Sequence, residues 1–253
     1  MNHATSIAST YDYRLVALSV LIAIFASYAA LDLAGRITQA RNSQRIAWLF
    51  GGAIAMGTGV WSMHYTGMLA YHLSIPVYYH IPTVVLSLLA AIAASFVALF
   101  VVSRPQVGVL HVVGGSTLMA TGICGMHYIG MDAMRLSAMH HWDTTFVVLS
   151  VVIAMVVSLA ALGLTFMFRE DKPVRSAKIV CAVIMGFAIP AMHYTAMAAV
   201  SYTPMTEAPD LTNAADVSLL ANTAIVVVTF VVLASVFLLQ RWFAPQTPVQ
   251  SEA

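Results

Sequence analysis

Charged side chains are what this sequence lacks most. Asp, Glu, Lys and Arg make up 8% of its 253 residues, whereas hydrophobic residues make up 60% and the mean hydropathy is +0.87. A soluble domain carries roughly 25% charged residues. The composition therefore excludes a soluble globular protein and predicts a protein embedded in a lipid bilayer. The few basic residues also provide no surface for nucleic acid.

Cysteine and the common catalytic motifs are nearly absent as well. The two cysteines, Cys124 and Cys181, lie inside apolar segments and form no CxxC pair, so we expect no disulfide framework. The sequence contains no phosphate-binding glycine loop, dinucleotide fingerprint or nucleophile elbow, and we therefore expect no enzyme. The last apolar segment has no lysine for a Schiff base, which excludes a retinal protein. A membrane oxidoreductase that uses a bound metal remains an alternative.

Long apolar runs dominate the rest of the chain. Seven of them are long enough to cross about 30 Å of hydrocarbon as helices. They lack the strict alternation of a membrane β-barrel, so we predict an all-α integral membrane protein. The predicted spans are residues 15–34, 46–70, 82–102, 108–132, 144–168, 177–200 and 217–239.

Most basic residues lie on one side of these spans. Only Arg14 and Arg135 fall on the other side, and the positive-inside rule therefore places the N-terminus outside and the C-terminus in the cytoplasm. Residues 1–13 form an outer segment without Lys or Arg, so the first span is a retained helix rather than a signal peptide. Residues 14–240 form the seven-span domain, and residues 241–253 form a short cytoplasmic tail. The basic residues on the inner side are Arg36, Arg41, Arg45, Arg104, Arg169, Lys172, Arg175, Lys178 and Arg241.

One hexapeptide occurs three times in nearly the same form. Each copy lies late in an apolar segment, and the copies recur about every 65 residues, which marks an internal repeat. The copies are residues 63–68 (MHYTGM), 126–131 (MHYIGM) and 192–197 (MHYTAM).

All three motif helices run from the inner to the outer side in the predicted topology. We therefore predict three parallel two-helix repeats, formed by spans two and three, four and five, and six and seven, with the N-terminal helix left over. Six helices around a pseudo-threefold axis, plus one peripheral helix, is the simplest such arrangement. It brings His64, His127 and His193 to a similar depth in the outer leaflet.

The residue types of the motif favour a copper site. Imidazole and thioether are uncharged ligands, which suits a site inside hydrocarbon, where carboxylates are costly. Thioethers favour Cu(I), and imidazole suits copper in either oxidation state. The alternative is that the histidines only form hydrogen bonds between helices and the methionines only pack. The predicted ligands, for one or more copper ions, are His64, Met63, Met68, His127, Met126, Met131, His193, Met192 and Met197; possible additional ligands are Met56, Met119, Met185 and Cys124.

Other polar residues are weaker candidates. The motif tyrosines either orient the histidines as hydrogen-bond partners or anchor the helices at the interface. His111 is about 24 Å along its helix from His127, too far to join that site. Asp132 is better explained as a helix-end residue in water than as an outer ligand. The tyrosines are Tyr65, Tyr128 and Tyr194, and the outer loops also contain His72, His80, His140 and His141.

The three motifs and the seven spans closely resemble the MHYT domain family of bacterial integral membrane sensors. The likeness covers about residues 10–240; the second motif has Ile129 in place of threonine, and the third has Ala196 in place of glycine. The resemblance implies a sensor in the bacterial cytoplasmic membrane that uses copper to detect oxygen, carbon monoxide or nitric oxide, or that detects copper itself. Family members often continue into cyclic-di-GMP enzymes, PAS domains or histidine kinases. This sequence does not, so we expect it to relay its signal to a separate signalling protein.

Copper transport or delivery is the alternative function. Met/His sites also pass Cu(I) between proteins, but a pore needs sites from one membrane face to the other. The inner halves of the spans offer mainly Met56, Met119, Met185 and His111, which argues against a pore.

Overall fold

The computed structural model describes residues 6–104, 108–168, 175–219 and 221. Its helices are α1 (Tyr13–Gln39), α2 (Asn42–Ala70), α3 (Ile81–Val102), α4 (Val109–Asp132), α5 (Thr144–Phe168) and α6 (Arg175–Ala198). Its strands are β1 (Ser9–Tyr11), β2 (Tyr71–Leu73), β3 (Tyr78–His80), β4 (Met134–Arg135), β5 (Ala138–Trp142), β6 (Val200–Pro204) and β7 (Ala214–Asp216).

Six helices are long and apolar enough to cross a membrane, and they match the first six predicted spans. Local signals fix where they begin: the Asp12 carboxylate accepts the Arg14 backbone N–H (2.8 Å), Asp143 does the same for Thr145 (2.8 Å), and a proline opens α3. Each helix turns large apolar side chains away from the bundle, as a lipid-facing surface requires. Examples, one from each helix, are Phe25, Phe50, Leu89, Leu118, Val156 and Phe187.

The six helices form a closed ring in chain order, with α1 packed against both α2 and α6. Small residues permit the close approaches. A side chain at Gly57 of α2 would collide with the backbone of Ile92 in α3, and one at Gly186 of α6 would collide with the backbone of Ile24 in α1. Gly57 and Gly186 both lie seven residues before a motif histidine. The contact of α6 with α1 therefore repeats the contact of α2 with α3.

The position of α1 corrects one prediction. The sequence left the first span outside a ring made of spans two to seven, but α1 fills a ring position between α2 and α6. The motif-based count starts each repeat at a motif helix, and this leaves the first helix without a partner. Serines show that α1 is equivalent to α3 and α5, because each of these helices carries two buried serines eight residues apart. The pairs are Ser19 and Ser27, Ser87 and Ser95, and Ser150 and Ser158.

Short antiparallel strands connect the helices at one end of the ring, which we call the strand end. β1 pairs with β2, β3 with β4, and β5 with β6, and β7 adds to the free edge of β3. Each of the first three pairs joins the segment before an odd-numbered helix to the segment after the next helix. The structural repeat is therefore α1–α2, α3–α4 and α5–α6. The sequence predicted no strands in these loops.

The seventh predicted span lies almost entirely outside the described residues. Residues 217–219 are helical, at the predicted start of that span. The Asp216 carboxylate caps this turn by accepting the Leu219 backbone N–H (2.7 Å) and the Ser218 hydroxyl (2.6 Å). The predicted cytoplasmic tail, residues 241–253, also lies outside the described residues.

Candidate metal centre

The three motif histidines meet on the axis of the ring. His64 of α2, His127 of α4 and His193 of α6 lie five or six residues before the end of their helices, so all three occupy the same level. Their Nδ1 atoms form a nearly equilateral triangle with sides of 3.1, 3.1 and 3.2 Å. Within the described part of the chain, this is the one group of at least three His, Cys, Asp or Glu residues whose ligand atoms lie close enough to hold a metal ion.

The triangle has the size of a trigonal metal site. From its side length, the centre of the triangle lies about 1.8 Å from each Nδ1 atom. Metal–imidazole bonds are about 2.0–2.1 Å long, so each ring needs to move by only a few tenths of an ångström to bind an ion at the centre. Hydrogen bonds alone do not satisfy three nitrogens that face one another. A neutral imidazole carries one N–H, and two hydrogens pointed into the centre would collide. A cation at the centre uses all three lone pairs.

The opposite ring nitrogens are packed against small residues. A side chain at Gly130 would overlap His64 Nε2, and one at Gly67 would overlap His193 Nε2. The three Nε2 atoms are buried and have no hydrogen-bond partner among the described residues. The histidines are 0–1% exposed. Packing against a neighbouring helix, rather than a hydrogen bond to Nε2, therefore holds the rings of His64 and His193 in place.

The motif tyrosines do not hydrogen-bond to the histidines. Each tyrosine ring lies edge-on to the histidine before it in sequence, with ring centroids 4.8–5.0 Å apart. Successive residues of a helix point about 100° apart, so the hydroxyl reaches a neighbouring helix instead. The bonds are Tyr194 to Ser19 (2.8 Å), Tyr65 to Ser87 (3.4 Å) and Tyr128 to Ser150 (2.8 Å).

These three serines are site residues that the sequence analysis missed. Each donates its own hydroxyl hydrogen to the backbone carbonyl three residues earlier, so the tyrosine is the donor in the bond between them. The repeated spacing of eight residues between serines in α1, α3 and α5 was the available signal. The tyrosine–serine bonds connect every motif helix to a helix of the next repeat around the ring.

The last methionines of the three motifs lie above the histidines, toward the strand end. They follow the histidines by four residues, one helical turn on the same face. All three are buried and belong to one apolar cluster. They are Met68, Met131 and Met197, which are 2%, 5% and 2% exposed.

Below the histidines, toward the other end, the axis is apolar. A cavity of about 30 Å³ lies there. One turn from the histidines it is lined by Val60, Ile123 and Ile189, and two turns away by Met56, Met119 and Met185. Eight residues of helix rise separate this methionine layer from the histidines by about 12 Å. Met56, Met119 and Met185 therefore cannot share an ion with the histidine triangle.

The first methionine of each motif lies beside the triangle and not on the histidine face. Met63, Met126 and Met192 are 0–1% exposed, and Met126 lines the lower cavity. Cys124 is half-buried and does not belong to the histidine group. The structure thus brings the three histidines together and spreads the methionines over separate levels.

The other histidines take local roles at the ends of the bundle. His80 Nδ1 is 2.8 Å from the Thr83 hydroxyl, and His141 Nε2 is 2.9 Å from the Thr203 hydroxyl. His72 Nδ1 lies 3.1 Å from the Ala70 carbonyl oxygen. His111 is exposed near the start of α4, at the end opposite to the strands. None of these residues belongs to the histidine group, and for His111 this was the prediction from the sequence.

Sequence comparison assigns the family. A family model described as a bacterial signalling protein N-terminal repeat, MHYT, matches residues 3–47, 57–115, 121–177 and 186–247. The chain belongs to the MHYT family. The six apolar helices and this match make the MHYT chain a multi-pass membrane module for sensory signalling, in contact with the lipid bilayer.

Curated relatives of this MHYT domain are larger signalling proteins. The chain is 43% identical over 195 residues to MucR of Pseudomonas aeruginosa, a bifunctional diguanylate cyclase/cyclic di-GMP phosphodiesterase. It is 37% identical over 193 residues to the cyclic di-GMP phosphodiesterase NbdA of the same species and 34% identical over 196 residues to the signalling protein YkoW of Bacillus subtilis. These alignments cover 76–77% of the chain and 24–28% of the relatives. No solved structure matches the chain.

Proposed function

We propose that this MHYT domain is a copper-dependent sensory module of the bacterial cytoplasmic membrane, with the ion held by His64, His127 and His193. The observation that carries the proposal is the Nδ1 triangle with sides of 3.1–3.2 Å. Three helices from three repeats converge on it, so any change in the triangle acts on all three repeats at once. The predicted orientation places this site in the outer leaflet.

The charge balance of the site favours a monovalent ion. Neutral imidazoles add no negative charge, and the described residues place no carboxylate in the histidine group. The cost of burying an ion in a medium of low dielectric constant rises with the square of its net charge. Cu(I) therefore costs less to bury here than Cu(II) or Zn(II), and imidazole is a ligand that copper accepts.

Three protein ligands leave room for one more. When bound, copper would supply an open coordination position for oxygen, carbon monoxide or nitric oxide. The histidine rings would convert a small shift at the centre into movement of the motif helices, because His64 is wedged against α4 at Gly130 and His193 against α2 at Gly67. We propose that a signalling domain or a separate signalling protein reads this movement, as the cyclic-di-GMP names of the relatives suggest.

No catalytic role is proposed for the module. In the described residues the buried polar groups of the core are the histidines and isolated hydroxyls of serine and threonine, without a nucleophile–base pair. The relatives that are named as enzymes are about four times longer than the region they share with this chain.

Copper delivery is the second candidate function, supported by the two methionine layers on either side of the histidines. The layer of Val60, Ile123 and Ile189 argues against passage across the whole membrane, because its side chains offer no metal ligand; of the motif methionines, only Met126 lines the cavity there. Delivery to and from the strand end alone remains compatible with the site.

Metal analysis tests the proposal. The purified full chain is loaded anaerobically with Cu(I), desalted and analysed for metal, together with the triple variant His64→Ala/His127→Ala/His193→Ala. A matched control removes three exposed histidines that do not belong to the site, His72→Ala/His111→Ala/His141→Ala, which lie in β2, at the start of α4 and in β5. We expect the control to retain copper as the wild type does and the triangle variant to lose it. Equal retention by the wild type and a folded triangle variant would overturn the site.

A further inference from the structure

A second, larger cavity opens at the strand end of the bundle. Its volume is about 390 Å³, and it lies beside the end of α4, between β4, β5 and β6 and the segment before β7. Aromatic rings form part of its wall. Around them are side chains that can bind cations: Met131, Met134, Asp132, His140 and Asp210. Arg135 also lines the cavity and donates to the backbone carbonyls of Asp132 and Met134, so two carboxylates and one guanidinium leave the lining with a net negative charge.

This cavity breaks the threefold pattern of the site. Met131 lines it and also belongs to the methionine level one turn above the histidines. The equivalent residues of the other two repeats, Met68 and Met197, do not line it. One methionine of the axial stack is thus adjacent to an opening.

The ligand types change from the mouth of the cavity to its floor. Asp132, His140 and Asp210 are exposed and offer oxygen and nitrogen ligands. Hydrogen bonds from the side chain and backbone of Thr212 lower the pKa of Asp210, so this group is a carboxylate at neutral pH. Met131 at the floor offers a soft thioether. The Met134 sulfur already accepts the Tyr202 hydroxyl at 3.6 Å, which makes Met131 the more available sulfur.

A metal ion needs a route from solvent to the buried histidine triangle. Its three histidines are 0–1% exposed, and on the side away from the strands the axis is lined by Val60, Ile123 and Ile189. His127 and Met131 are four residues apart on α4, which makes them neighbours on one helix face. An ion that leaves Met131 thus has His127 as its next ligand one turn below.

We propose that the strand-end cavity is the entry vestibule of the metal site, in which Asp132, His140 and Asp210 attract Cu(I) and Met131 transfers it to His127. The inference rests on the proposed copper site and adds how that site is filled. Copper enters and remains as Cu(I), and the histidines are neutral imidazoles before and after binding, with the Nδ1 lone pairs available to the bound ion, so the protein exchanges no electron and releases no proton.

Loading kinetics test the vestibule. The full chain in detergent is freed of metal with a chelator and mixed anaerobically with the cationic Cu(I)–acetonitrile complex. Samples are quenched with bicinchoninate at timed intervals, and the colour reports the copper that has not yet entered the protein. We expect Met131→Leu to slow uptake severalfold while the final copper content is unchanged, because the thioether between the cavity and His127 is lost. Met68→Leu and Met197→Leu are matched controls and are expected to load at the wild-type rate.

A second variant keeps the test independent of packing at Met131. Asp132→Asn/Asp210→Asn changes only exposed side chains, and we expect slower uptake with a weaker dependence on salt than in the wild type. Equal rates for Met131→Leu and Met197→Leu, or unchanged uptake in the double Asp variant, would overturn the vestibule. Loss of final copper content in Met131→Leu would also overturn it, since Met131 would then be a permanent ligand. Failure of the wild type to take up any copper would instead overturn the proposed function.

Discussion

The Nε2 atom of His64 occupies the space in which a side chain at Gly130 would begin. The ring of one motif histidine is thus seated on the fifth residue of the next motif, and His193 is seated on Gly67 in the same way. The third residue at this position is Ala196, which is fully buried. The small residue of the hexapeptide is therefore part of the histidine site, because it sets how far each ring can withdraw from the axis.

Gly130→Ala is expected to push His64 off the axis and to lower both copper retention and stability. The overlap is with a ring that is wedged on all sides, so the cost should be about 1–3 kcal/mol, typical of overpacking in a core. Gly125→Ala is the matched control on the same helix, since a side chain there meets nothing within 4 Å, and alanine favours the helix. Thermal unfolding in detergent and metal analysis provide the measurements.

A double-variant cycle separates this contact from a general defect of α4. In the His64→Ala background the space next to Gly130 is free, so Gly130→Ala should cost much less than it does in the wild type. An equal cost in both backgrounds would show that the effect of Gly130→Ala does not pass through His64.

The convergence of the three histidines could be predicted from the sequence. Which ring nitrogen of each histidine faces the axis could not. Three copies of one motif at equal depth on parallel helices place His64, His127 and His193 on one level, and a threefold arrangement then brings them to the axis. That Nδ1 faces the centre and Nε2 faces Gly130 depends on side-chain rotamers and on the neighbouring helix. The same limit explains the methionines. Sequence spacing placed Met68 on the histidine face and Met56 in the inner half of its span, but only the cavity shows that Met56, Met119 and Met185 converge on the axis.

The sequence predicted the long helices of the fold better than its short strands. Six apolar spans were found to within a few residues, but strands as short as Met134–Arg135 carry too few residues for an alternating pattern. The ring position of α1 was not predicted, because the repeats were counted from the motif helices and α1 carries no motif. Ser19 and Ser27 in α1 repeat the spacing of Ser87 and Ser95 in α3, and this pattern indicates that α1 is equivalent to α3.

The tyrosine–serine bonds should stabilise the ring unequally. Tyr128 and Tyr194 lie 2.8 Å from their serines, whereas Tyr65 lies 3.4 Å from Ser87, which also accepts the indole N–H of Trp61 at 3.1 Å. We expect Tyr128→Phe and Tyr194→Phe each to cost about 0.5–1.5 kcal/mol, and Tyr65→Phe less. Cycles with Ser150→Ala and Ser19→Ala should give coupling energies of about 0.6 kcal/mol, as for other hydrogen bonds between membrane helices. Coupling near zero in both cycles would mean that the bonds do not hold the ring.

Cysteine labelling tests the predicted orientation. In a background in which Cys124 and Cys181 are replaced by serine, Ser201→Cys introduces an exposed thiol in β6 at the strand end, and Gln44→Cys introduces one at the start of α2, at the opposite end. The positive-inside rule predicts that a membrane-impermeant maleimide labels the first in intact cells and the second only after permeabilisation. The reverse pattern would place the histidine site in the cytoplasmic leaflet.

Asp32→Asn is expected to weaken the closure of the ring between α1 and α6. The Asp32 carboxylate accepts the Lys178 ammonium of α6 at 2.5 Å and the Arg36 guanidinium of its own helix at 2.7 Å. The Lys178 side chain is 14% exposed, so loss of its counterion leaves a largely buried charge that lies 4.7 Å from the Tyr28 ring. We expect a cost of about 1–3 kcal/mol, below that of a fully buried pair because Asp32 itself is 40% exposed.

Arg36→Gln is the control for Asp32→Asn, because it leaves the Lys178 pair with Asp32 intact. It removes the pair within α1 and the contact of the Arg36 guanidinium with the Trp48 ring of α2, 5.5 Å away. Both partners of the α1 pair are exposed, at 46% and 40%, so the change should cost no more than about 1 kcal/mol. Thermal unfolding in detergent at low and high salt compares the two variants, and the larger effect of Asp32→Asn should persist at high salt because Lys178 is shielded from solvent. If α1 were a peripheral helix, as the motif count alone predicts, the two variants would be equally mild. A clear excess for Asp32→Asn would therefore support a ring that α1 closes.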